Sequence, residues 1–245
     1  MDNEKDKRAV KLWSAAILGL GVALGGFFPG YYYYKAKVDS NYVTVKGLSE
    51  MDVKADLGVW KLRFSVVGND LKQVEQQINL QTQQVRAFLL KQGFKQEEMD
   101  LGQIDVEDLM SNPYRNENSA NNRFILKRAV TIRTSEVEKI ASSIPATNEL
   151  IAQGIVFDSS SYDAVSYIFT GLNEIKPKML EEATRNAKTA ALEFAKNSDS
   201  KVGTIRKANQ GVFSILPREQ VAGADERQQI NKTVRVVSTI DYWLE

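Results

Sequence analysis

Two absences narrow the chemistry available to this chain: it contains no cysteine and no histidine. There is then no thiol nucleophile or thiol redox couple, no Cys- or His-ligated metal site, no imidazole acid–base group and no Ser-His-Asp triad. Carboxylate pairs, Ser–Lys dyads, oxygen-ligand metal sites and externally supplied cofactors remain. The densest carboxylate group is Asp100, Asp105, Glu107 and Asp108, with Glu97 and Glu98 just before it. Calcium needs several oxygens converging on one point. This spacing lacks the EF-hand pattern, and strand alternation sends the side chains to both faces, so a solvated sheet edge is expected. Arg206, Lys207 and Arg218 flank Gln210-Gly211. They offer either a small anion-binding surface or ordinary sheet-face charge of the kind that discourages edge aggregation. Ser142-Ser143 and Ser159-Ser160-Ser161 would need a lysine beside them to act as nucleophiles, and no spacing supplies one. Glycine-rich phosphate loops are absent. No catalytic, cofactor-binding or metal-ligating residue is assigned, and the expectation is a protein that is not an enzyme.

The non-catalytic candidate is the stretch Met110–Asn122, rich in Ser, Asn and Pro. It is long for a connection between strands, and such loops are often functional or disordered. Asn112, Pro113, Tyr114 and Arg115 form its candidate interaction segment, because Tyr and Arg are enriched at interface hot spots.

The elements that would position these residues follow from periodicity. Tyr42–Leu48 reads as a strand, Ser49–Asp52 as a turn and Val53–Val67 as a long second strand. In the latter, Trp60, Leu62, Phe64 and Val66 alternate with Lys61, Arg63 and Ser65, which marks a sheet with one wet face. Gly68-Asn69-Asp70 caps a helix whose apolar stripe is Leu71, Val74, Ile78, Val85, Phe88 and Leu89, ending near Gly93. Leu101–Leu109 and Arg123–Thr134 read as strands. Ser135 and Glu138 have capping-box spacing before a short helix, and Gly154–Phe157 and Ala164–Phe169 look extended. Asn173 precedes a helix over Glu174–Asn197, with the stripe Ile175, Met179, Ala183, Ala187, Ala190 and Phe194. Val202–Leu216 and Thr233–Trp243 complete the strands. Strand pairs separated by helices predict an α+β fold with largely antiparallel sheets packed by amphipathic helices.

Ahead of this lies Leu12–Tyr34, 23 residues without a charge. As a helix it reaches roughly 35 Å, enough to cross a hydrocarbon core of about 30 Å. Lys5, Lys7, Arg8 and Lys11 precede it, which favours an inside N-terminus. Tyr31, Tyr32, Tyr33 and Tyr34 suit a membrane interface. The expected layout is a cytoplasmic tail (1–11), a transmembrane signal anchor (12–34), a linker (35–41) and an exported domain (42–245). In a Gram-negative cell this is an inner-membrane, single-pass protein facing the periplasm. The alternative is a cleaved signal peptide with Ala23 and Gly25 at small-x-small spacing, releasing the domain into the periplasm. Of the chain's 32 basic and 31 acidic residues, six and four fall in the first forty, leaving 26 and 27. No basic surplus exists to drive nucleic-acid binding.

An ordered set of short segments then carries a resemblance. These are Tyr42-Val-Thr-Val-Lys-Gly-Leu-Ser-Glu50, Val53-Lys-Ala-Asp56, Gly68-Asn-Asp-Leu71, Asn112-Pro-Tyr114, the Ala-rich Ala183–Ala195, Ala208-Asn-Gln-Gly-Val-Phe213 and Lys232–Tyr242. Together they resemble the SIMPL domain family across essentially all of 41–245. The resemblance implies an exported bacterial envelope protein of α+β fold with no established catalytic residue. Some members of the family are linked to oxidative-stress defence, and some form large homo-oligomers. It therefore implies a homo-oligomer, or a protein that contacts another envelope protein. The alternative is a module binding a small envelope ligand or cell-wall fragment on a sheet face bearing Tyr and Trp.

Overall fold

The computed structural model describes residues 2–38, 41–111, 122–158, 164–219 and 221–245. The interaction segment Asn112–Arg115 and Ser159–Ser161 lie outside them. In chain order the elements are α1 (Asp2–Val38), β1 (Tyr42–Lys54), β2 (Leu57–Gly68), α2 (Leu71–Lys91), β3 (Met99–Leu101), β4 (Asp105–Asp108), β5 (Phe124–Thr134), α3 (Val137–Ser143), α4 (Asn148–Ala152), β6 (Val156–Phe157), β7 (Val165–Ile168), α5 (Leu172–Asn197), β8 (Val202–Gln210), β9 (Ser214–Pro217) and β10 (Asn231–Leu244). The fold is α+β, and every described strand register is antiparallel. Within α1, Ala16–Lys35 is long and apolar enough to cross a membrane, with mean hydropathy 1.2. Tyr31, Tyr32, Tyr33 and Tyr34 are all exposed there.

The chain divides into two compact units, each assembled from separate stretches. Unit 1 takes residues 1–48, 182–211 and 237–245, and unit 2 takes 49–181 and 212–236. Unit 2 centres on a six-stranded sheet of order β3-β5-β2-β6, with β4 beside β5 and β7 beside β2. β2 and β5 pair along their full length, from Gly58 opposite Thr134 to Gly68 opposite Phe124. Their inward residues Trp60, Leu62, Phe64, Leu126, Val130 and Ile132 pack on Val74, Ile78, Val85 and Leu89 of α2. Asp70 caps α2 by accepting from the Gln73 amide at 3.0 Å, and Gly93 takes the left-handed conformation, φ +85°, at its far end.

Unit 1 is built differently. Val43 and Val45 of β1 and Ile240 and Tyr242 of β10 pack on Ala187 and Ala191 of α5. The helix lies so close that a Cβ on Gly47 would fall 1.8 Å from the Ala183 carbonyl oxygen. Here β8 pairs with β10 on one side, and among the described residues on that side alone.

Five expectations from periodicity shift, the first being the single strand over Val202–Leu216, which breaks at 211–213 into β8 and β9. β1 runs unbroken through Ser49–Asp52, and the break comes at Ala55–Asp56 instead. There the Asp56 carboxylate accepts from the amides of Thr170 (2.9 Å) and Gly171 (3.1 Å), while the Ala55 amide donates to Ile230. These long-range bonds outweigh the local turn preference of Ser and Asp. The strand expected over Leu101–Leu109 is interrupted at Gly102, where the backbone turns to donate to Ala129. The Ser135 capping box does not form; the Glu136 amide bonds to the Thr134 hydroxyl at 3.1 Å. The buried stripe of α5 is Met179, Ala183, Ala187, Ala191 and Ala195, leaving Ala190 and Phe194 outside.

Candidate functional site

Two surfaces hold the side chains that sequence singled out, one in each unit. The first is the wet face of the unit 2 sheet. Alternation along β2 and β5 turns Lys61, Arg63, Lys127 and Arg133 outward, since their neighbours are committed to the core. With Asp100, Asp105 and Asp158 they line an open groove of about 540 Å³. The carboxylates do not converge on a common point. Asp100 faces Arg133 (3.6 Å), Glu107 faces Lys127 (3.4 Å), Asp158 faces Arg63 (3.9 Å), and Asp108 takes a forked hydrogen bond from Arg123 (3.0 Å). Among the described residues, no group of three or more Asp or Glu side chains is placed to hold a metal ion. Asp100, Glu107, Asp108 and Asp158 are instead each paired with a cation of their own.

Glu98 stands apart from the groove. Its carboxylate accepts from the Lys95 amide at 2.8 Å, bridging the ends of a 3-10 turn. Partial burial acts to raise its pKa, but the bonds from Thr134 and Lys95 and the nearby charge of Lys139 outweigh that and hold it below the ordinary glutamate value. That is a structural anchor.

The second surface is the open face of the unit 1 sheet. Asp241 is opposite Lys207 and Tyr242 is opposite Ile205, so Arg206 is the extra residue of a β-bulge. A bulge re-aims the side chain it carries. Arg206 accordingly lies over the ring of Tyr42 (4.1 Å) and near that of Trp243 (5.1 Å), with Asp241 at 4.0 Å. Asp241 also accepts from the Thr44 hydroxyl at 2.8 Å. Arg218 belongs to unit 2, where it pairs with Asp52 at 3.3 Å.

The edge of the unit 1 sheet is equally open. From Thr204 to Gln210 every residue of β8 is exposed. Gly211 donates to Val237 at 2.9 Å. By strand alternation the Asn209 amide also points at β10, and those of Ala208 and Gln210 point outward.

Sequence reasoning missed two features. Lys232 is fully buried and bonds to both the carboxylate and the backbone oxygen of Glu226 at 2.5 Å. Its signal was present: it shares the inward parity of Val234, Val236 and Ile240. The Tyr42–Arg206–Trp243 stack joins three distant strands and a bulge, which no local pattern announces.

Most of the recognisable motif residues hold the fold. Gly47 admits α5, Asp56 ties down the start of α5, Asp70 caps α2, and Asn69 accepts from the Arg123 amide. A Cβ on Gly211 would fall 2.3 Å from the Val237 oxygen. The SIMPL family model, described as a protein of unknown function (DUF541), matches residues 43–241. No curated protein matches the chain.

Proposed function

The chain belongs to the SIMPL family, and from that premise we propose that it is a membrane-anchored envelope protein that works without catalysis, by assembling with further copies of itself. The apolar helix anchors it in the inner membrane of a Gram-negative cell. The basic N-terminus stays inside and the SIMPL domain faces the periplasm. A contribution to envelope or oxidative-stress defence fits this address, with no thiol chemistry involved.

The observation that carries the assembly reading is the β8 edge. A strand with outward amides and exposed side chains is a template for another strand. The bulge at Arg206 interrupts that edge, so an added strand is confined to Lys207–Gln210, which fixes its register. Cation–carboxylate pairs on the open groove of unit 2 leave that face wet, whereas general acid–base chemistry works best where water is excluded. The test is light scattering on the full chain in detergent micelles over a wide concentration range. A defined multiple of the 27.5 kDa chain is expected, and a strict monomer at every concentration contradicts the reading.

The second reading is a module for a small envelope ligand or cell-wall fragment. The groove lined by Lys61, Arg63, Asp100 and Asp158 favours it, because paired charges on an open face suit a polar, hydroxyl-rich ligand. It predicts a ligand-dependent rise in melting temperature, lost in Lys61→Ala.

A further inference from the structure

We propose that the end of unit 1 carrying Tyr42, Arg206 and Trp243 rests in the phospholipid headgroup layer of the bilayer that α1 crosses. This inference rests on the anchored reading above. The first argument is chain length. Lys35 closes the apolar stretch and Tyr42 is seven residues on. A chain spans at most about 3.6 Å per residue, so Tyr42 stays within roughly 25 Å of the point where the helix leaves the hydrocarbon. Connectivity therefore holds this end of the sheet, where β1 begins and β10 ends, beside the membrane.

The second argument is the chemistry found at that end. Tyr and Trp concentrate in the headgroup layer because each has an apolar ring and a polar handle. An arginine guanidinium matches phosphate through paired N–H groups. Arg206 is aimed onto the open face by its bulge, between the two rings, with its side chain 40% exposed. On the helix side of the same end, Phe194 is 51% exposed despite lying on the last turns of α5. Tyr42 and Phe194 share an open cleft of about 350 Å³ with Leu244 and Asn41. A bilayer surface gives this exposed Phe and Tyr pair an apolar layer to enter while the Tyr hydroxyl stays among the headgroups.

The chain contains three tryptophans, Trp13 in α1, Trp60 in the unit 2 core and Trp243. Trp60 is buried and out of reach of a collisional quencher. The experiment places full-length Trp13→Phe in vesicles of phosphatidylethanolamine and phosphatidylglycerol that contain a lipid with a nitroxide on its headgroup. A carbonate wash first tests whether the chain stays with the vesicles. The expected result is retention together with quenching of up to about half the emission, since one of two remaining emitters sits in the headgroup layer. That quenching should vanish in Trp13→Phe/Trp243→Phe and weaken in Trp13→Phe/Arg206→Gln. Retention with no quenching in Trp13→Phe overturns the inference and leaves the anchor standing. Release by carbonate overturns the anchor, and the inference with it. The single variant alters only α1, so this decision does not depend on whether the Trp243 variant folds.

Discussion

Unit 2 is held together by rings and branched chains, and unit 1 by alanines. In unit 2 a two-sided problem is solved by volume: Trp60, Phe64 and Phe88 fill the space between a sheet and a helix. In unit 1 the helix comes so close, over Gly47, that only Ala183, Ala187 and Ala191 fit beneath it. Large side chains are left over in unit 1, and they lie outside: Tyr42, Leu192, Phe194 and Ile205 are each about half exposed or more. Unit 2 leaves apolar chains outside as well, Ile151, Val156 and Val212 among them, so the difference lies in how each core is filled: by volume in unit 2 and by close approach in unit 1, which also carries an open strand edge.

The comparison breaks most visibly in the cores. Phe64→Ala should cost about 3–5 kcal/mol, as cavity-forming ring deletions do, read from denaturant midpoints. Phe194→Ala, the same change on the unit 1 surface, should lie within about 0.5 kcal/mol. Comparable losses from both would dissolve the distinction. Gly47→Ala should cost roughly 2–4 kcal/mol, because its methyl group meets backbone that must move. Gly21→Ala in α1, where a Cβ meets nothing within 4 Å, should leave the midpoint unchanged.

Glu226→Gln removes the charge facing buried Lys232 and should destabilise by about 2–3 kcal/mol. Lys232→Met should cost less, since it removes the fully buried charge and leaves behind Glu226, whose side chain is 28% exposed and can be solvated. The reverse order would mean that Lys232 is not buried as a pair. Ala208→Pro deletes an outward amide while keeping the bonds to β10, so it should halve or abolish the assembled mass without moving the denaturation midpoint.

The smallest effect concerns pH. The folded pKa of Glu98 lies below its unfolded value. Its contribution is therefore fully present above the unfolded pKa and is lost as pH falls through the folded one. Glu98→Gln should lower stability slightly at neutral pH and make no difference below the folded pKa, so the acid limb of the stability curve flattens by that same small amount. Unchanged stability at neutral pH, or a loss confined to acid, would contradict this assignment.

Much of unit 2 was legible because its strands alternate cleanly. Trp60 through Val66 announce one wet face, and Asp70 and Gly93 bracket α2 as short polar caps and left-handed glycines do. Unit 1 was less legible. The stripe of α5 was misplaced by one position at Ala190 and Phe194, because an alanine-rich helix offers little contrast between faces. The Ala55–Asp56 break depends on amides 114 and 115 residues away in sequence. The Arg206 stack needs three strands in register and a bulge. Local periodicity reports which way a residue faces, and it carries no information about which strand will lie beside it.

The central claim is that copies of this chain meet along β8, and the outward amides of Ala208 and Gln210 report on it directly. Hydrogen exchange on the full chain in nanodiscs, resolved to those two amides, should show strong protection. The protection should disappear on dilution into conditions where the mass falls to a monomer. Exchange at the rate of a free, solvated amide in a particle still assembled would contradict the account.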